Sequence, residues 1–120
     1  MIHRLTLGHL DPRAIVHDRM VVVQRPLDGK IVSRLLHELG KVDEQGRWTL
    51  DGDDVSIHDG YVVVPWQGGW QNRVAEEFAL RLHRETSCLL ADREHAQVIE
   101  PAQLLGLHAT TARDSDTIRA

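Results

Sequence analysis

Apolar positions change period several times along the 120-residue chain, and each change marks an element boundary. Val55, Ile57, Val62 and Val64 alternate with polar or mixed positions on either side of Asp59-Gly60. This is the pattern of a strand, a two-residue turn and a second strand. An Asp-Gly pair suits a type I′ turn, in which both central residues take positive φ. The loop length sets the register: His58 opposite Tyr61, Ile57 opposite Val62, Ser56 opposite Val63 and Val55 opposite Val64. Val55, Ile57, Val62 and Val64 then share an apolar face, and Asp54, Ser56, His58, Tyr61 and Val63 share the other. Pro65 ends the ladder because it has no N–H to donate. From Trp70 the period becomes helical, with Val74, Ala75, Phe78, Ala79 and Leu82 in one arc and Glu76 at its flank. Cys88-Leu89-Leu90-Ala91 is an apolar run of strand length.

Upstream, Ile2 to Leu10 alternates loosely, with Leu5, Leu7 and His9 on one face and Arg4, Thr6 and Leu10 on the other. Asp11-Pro12 reads as the N-cap and first residue of a short helix, Pro12 to Asp18. Met20 to Arg25 is β-branched and apolar on both faces, which predicts a central strand ended by Pro26. Asp28 caps a helix whose apolar face is Ile31, Val32, Leu35, Leu36 and Leu39, with Gly40 at the C′ position. Arg47 to Leu50 and Asp53 to Ser56 flank a second tight turn, Asp51-Gly52, which sets Trp48 opposite Val55. His95 to Glu100 reads as a last edge strand, and Pro101 to Leu105 as a short helix closed by Gly106. Residues 107–120 are polar and aperiodic and read as a flexible tail, leaving 1–106 as a single α+β domain. From Met20 the order β-α-β-β-α-β resembles the ferredoxin-like arrangement, an antiparallel sheet with two helices on one face. On that reading the N-terminal strand is an addition to the sheet and the last helix an appendage. The resemblance implies little about function, because this layout hosts many activities.

Composition narrows the class without naming it. Hydrophobic content is 42% and charged content 27%, ordinary for a soluble globule. No apolar run approaches the roughly 18 residues that span a bilayer. The N-terminal stretch does not read as a signal peptide and there is a single cysteine, so a cytoplasmic location is expected. Net charge is −4 and evenly spread, with no basic run. An extended nucleic-acid footprint, which needs clustered cations, is not expected. Arginine supplies most of the 14 basic residues, a bias that suggests a GC-rich bacterial genome.

Several motifs touch on chemistry. Gly60, Tyr61, Val64 and Trp66 fall at positions of the first ribonucleoprotein motif of RNA-recognition domains. Asp59 stands where that motif is basic, Val63 replaces its second aromatic, and Met20 to Arg25 has no aromatic to complete the platform. Gly68-Gly69 joins a strand to a helix with Arg73 in its first turn, a junction at which free N–H groups could meet an anion. It is neither a phosphate loop nor a dinucleotide fingerprint. The chain's 8 histidines are scattered, with no spacing of a zinc site, and Asp51-Gly52-Asp53-Asp54 lacks the ligand pattern of a calcium loop. Neither metal nor cofactor is expected. Cys88 opens an apolar strand and reads as core, and Ser87 has no nucleophile-elbow context.

The open sheet face is the candidate site: Asp54, Ser56, His58, Tyr61 and Val63, with Trp66 or Trp48 at its rim. Three of the five aromatics are tryptophan, a residue favoured at interfaces. The expected function is a non-enzymatic module that binds a protein partner, or a second copy of itself, through this face. Toxin-neutralising immunity proteins and small regulators are bacterial proteins of this size and mild acidity. A small-anion sensor built on Gly68, Gly69 and Arg73 is the alternative. An enzyme using His58 or Cys88 is the third reading.

Overall fold

The computed structural model describes residues 4–66 and 73–104. Gly68, Gly69, the closing turn at Gly106 and the tail therefore lie outside the described residues. The chain forms β1 (Arg4–Leu10), α1 (Pro12–Asp18), β2 (Val23–Arg25), α2 (Gly29–Leu39) and β3 (Lys41–Val42). It continues with β4 (Trp48–Leu50), β5 (Asp53–Asp54), β6 (Ser56–Ile57), β7 (Tyr61–Pro65), α3 (Arg73–Thr86), β8 (Leu89–Asp92) and β9 (Gln97–Ile99). One more helical turn covers 101–104. The fold is mixed α+β, with antiparallel pairing throughout.

The main sheet runs β6-β7-β1-β8-β9, and β2 pairs with the last residues of β1. This corrects the expected place of the N-terminal strand. β1 is not an addition but the central strand, bonded to β7 on one side and β8 on the other. Met20 to Arg25 is not a central strand. Only Val23–Arg25 joins the ladder, and Met20 and Val22 are exposed. The preceding backbone is committed elsewhere, with Met20 N–H bonded to Ala14 O and Asp11 N–H to Val22 O. β-propensity in that stretch loses to the capping and return of α1.

The core follows from strand alternation. Leu5, Leu7, Val62, Val64, Leu90 and Ile99 face α2 and α3, which contribute Val32, Leu35, Leu36, Phe78, Ala79 and Leu82. On the other face a smaller cluster of Leu10, Ile15 and Ala91, edged by Val21, Val23, Tyr61 and Leu89, seats α1. Both expected N-caps form: Asp11 accepts from Arg13 N–H and Asp28 from Lys30 N–H. Two ion pairs tie α2 to α3, Arg34 with Glu85 and Arg81 with Glu38. Glu76, expected at the flank of α3, is buried instead, and Trp66 Nε1 donates to its Oε1 at 3.3 Å.

The central hairpin has the expected register, Ser56 with Val63 and Ile57 with Val62, and His58 N–H bonds Tyr61 O. Its turn is not type I′, because Gly60 takes positive φ but Asp59 does not. The paired positive φ values occur at Asp51 (55°) and Gly52 (84°), in the β4–β5 hairpin. There Val55 N–H bonds Trp48 O, as the spacing predicts. β3, which the sequence did not announce, completes a second, three-stranded sheet. Gly40 is not a left-handed C′ residue. Its φ is −94°, and it is glycine because a Cβ would meet Leu36 O at 2.9 Å and Thr49 O at 3.1 Å.

Candidate functional site

The strands leave one part of the sheet open on the side away from α2 and α3. Alternation along β1 sends Leu5 and Leu7 into the core and Arg4 and Thr6 to this face. β7 does the same with Tyr61 and Val63. Thr6 sits opposite Val63 on one side and Ala91 on the other. α1 covers the end near Leu10, so the open part is a trough rather than a flat platform.

The trough measures about 600 Å³ and is lined by Arg4, Thr6, Arg19, Val21, His58, Tyr61, Val63, Arg93 and Glu94. Three backbone features bring the arginines together. Arg4 stands near the start of β1, Arg19 caps α1 in the left-handed conformation at φ 53°, and Arg93 follows β8. Arg93 Nε donates to Arg19 O at 2.7 Å, which anchors the turn after β8 to the end of α1. Glu94 is the one carboxylate among the described lining residues. His58 and Tyr61, cross-strand neighbours, stack nearly parallel with centroids 4.5 Å apart and planes 6° apart. Gly8 makes room for the Tyr61 side chain beside β1, since a Cβ there would lie 2.9 Å from Tyr61 Cβ.

Of the residues expected on this face, His58, Tyr61 and Val63 line the trough. Ser56 is half-buried in β6 and is not among the lining residues. Asp54 belongs to the second sheet, 3.7 Å from Arg47. Trp66 turns to the helix side, toward Glu76. Arg73 opens α3, whose Val74 and Ala75 N–H groups are met by the Asp51 carboxylate at 3.4 and 3.0 Å. Sequence reasoning missed Arg4, Arg19 and Arg93. Arg4 and Thr6 carried a signal in the alternation of β1, but only placing β1 beside β7 gives it meaning. Arg19 and Arg93 lie in turns and carry none.

No protein-family model, curated protein or solved structure matches the chain. The site therefore rests on its own geometry.

A second cleft, about 430 Å³, lies where β1, β2, β8, β9 and the end of α3 meet, and includes His9, Arg25, His83, Ser87, Cys88 and Glu100. Burial, and then the Arg25 charge, lower the pKa of His9, so it is neutral at pH 7. His83 Nδ1–H donates to Cys88 O at 2.7 Å, which fixes its tautomer and spends that nitrogen on backbone. The Cys88 side chain is fully buried and its thiol is pushed up by burial. No histidine is hydrogen-bonded to the sulfur among the described residues. Nor does any group of three metal-ligating side chains occur among them. No helix among the described residues is long and apolar enough to cross a membrane.

Proposed function

We propose that this chain is a non-enzymatic binding module that holds an anionic group of its partner in the sheet-face trough. The observation that carries this reading is the convergence of Arg4, Arg19 and Arg93 on one concavity of a chain whose net charge is −4. Cations gathered this way repel one another, and an anion between them relieves the repulsion. Guanidinium groups also match carboxylate and phosphate oxygens in pairs. The volume lies within the range of small-ligand sites, about 300–1,000 Å³. A binding role is favoured over catalysis because Cys88 is sealed in the core and His58 is engaged in a ring stack. Self-association through this face is disfavoured, since a twofold contact would set one arginine cluster against its copy.

The scaffold itself reads as ferredoxin-like once β1 is taken as the first strand. The order β6-β7-β1-β8, with α2 and α3 on one face, supports that reading.

Titration calorimetry at low salt with inorganic phosphate and with an acidic hexapeptide tests the proposal. Binding should weaken with added salt and be lost in the Arg4→Glu, Arg19→Glu double variant, while Arg13→Glu on α1 leaves it intact. Anion binding that survives the double reversal would place the site elsewhere.

A further inference from the structure

The His58–Tyr61 pair has a second side. There lies an apolar slot of about 160 Å³, lined chiefly by Leu27, Val32, Leu36, Trp48, Ile57 and Val62. Ile57 is on the apolar face of its strand yet remains 55% exposed at the slot. His58 and Tyr61 line both the slot and the trough. One wall therefore divides an apolar recess from a cationic one. Gly60, which also lines the slot, is packed against the segment before α2, with Leu27 N–H donating to Gly60 O at 3.1 Å. Its φ is +89°, and a Cβ would stand 3.1 Å from Val23.

Resting on the anion-binding reading, we propose that the ligand is a free single-chain amphiphilic anion, an alkyl or acyl chain ending in a phosphate or carboxylate. The head lies among Arg4, Arg19 and Arg93. The chain passes the His58–Tyr61 pair and buries its farther carbons against Ile57 and Trp48. Charge complementarity selects the head, because the trough is lined by three guanidiniums and one carboxylate. The slot selects the tail. It is about a quarter of the trough in volume, which suits a short chain and excludes a bulky ring system. Covering Ile57 removes apolar surface from water that the unliganded fold leaves exposed.

A homologous series of monoalkyl phosphates, methyl to octyl, each below its micelle concentration, tests this on the intact chain by calorimetry. Affinity should rise roughly fourfold per methylene and level off once the slot is filled. Ile57→Gln, a neutral change at an exposed position, should flatten the series. Arg4→Glu with Arg19→Glu should weaken every member alike. A flat series in the unaltered chain, with methyl phosphate still bound, overturns the amphiphile and leaves the anion site standing. No binding of any member overturns both. Preference for phosphatidylglycerol vesicles over free octyl phosphate overturns the assignment of a free ligand.

Discussion

Asp51 carries two loads that substitution can separate. Its backbone takes φ 55° in the β4–β5 turn, and its carboxylate accepts from Ala75 N–H at 3.0 Å and Val74 N–H at 3.4 Å. It thus caps a helix from 23 residues away in sequence, the separation to Val74. Removing a side-chain cap costs about 1 kcal/mol, within a range of roughly 0.5–2. Holding alanine in the left-handed region costs about another 1 kcal/mol, which asparagine and glycine largely avoid. Asp51→Asn keeps both the turn preference and a neutral acceptor and should cost about 0.5 kcal/mol, the low end of cap loss. Asp51→Gly keeps the turn and loses the cap, about 1 kcal/mol. Asp51→Ala loses both, about 2 kcal/mol. With a urea slope of about 1.5 kcal/mol/M, the alanine variant should unfold about 1.3 M earlier than the parent. Urea titrations followed by tryptophan fluorescence and by helix circular dichroism give the order. If the glycine variant unfolds with the parent, the carboxylate is no cap. If alanine matches glycine, the turn imposes no cost.

Two further outcomes follow from packing and charge. Gly8→Ala relieves strand glycine of its entropy cost but drives a Cβ to 2.9 Å from Tyr61 Cβ, and overpacking of about 1–3 kcal/mol outweighs a gain of about 0.5–1. The destabilisation, read by urea unfolding, should persist in a Tyr61→Ala background, which keeps the offending Cβ, and vanish in Tyr61→Gly; persistence in both refutes the clash. His9, whose pKa is lowered in the fold, leaves the unfolded chain holding more protons below about pH 6.5. Stability should therefore be full above that pH and fall as pH drops below it, and His9→Gln should flatten this part of the curve; an unchanged slope would remove His9 as the cause.

Local pattern made the helices and hairpins legible. Asp11-Pro12 and Asp28 mark helix starts because the capping interaction lies within two residues of sequence. The register across Asp59-Gly60 follows from loop length alone. What the pattern could not rank was one strand against another. Met20 to Arg25 is richer in β-branched residues than Arg4 to Leu10, yet the latter took the centre. The choice depends on which strand can be sandwiched between β7 and β8, and no local window contains that information. The site divides along the same line. His58, Tyr61 and Val63 were readable from alternation in one hairpin, whereas the arginines reach the trough through tertiary contacts such as Arg93 with Arg19. The pattern places Trp66 at the rim of the open face and Glu76 at the flank of the α3 arc. A part-buried hydrogen bond joins them on the helix side instead.

The central position of β1 also sets a timetable. Thr6 cannot complete its two ladders until Val63 and then Ala91 exist. At roughly 5–20 residues per second on the ribosome, that wait is on the order of ten seconds. During it Leu5, Leu7 and Leu10 emerge with no sheet to join, beside α1 and α2, which close through local contacts. The element that organises the finished molecule is thus the one that spends longest unpaired while it is being made. Chain-arrested intermediates ending before β7 should be the species most prone to capture by chaperones, and release should come only when β8 has cleared the exit tunnel.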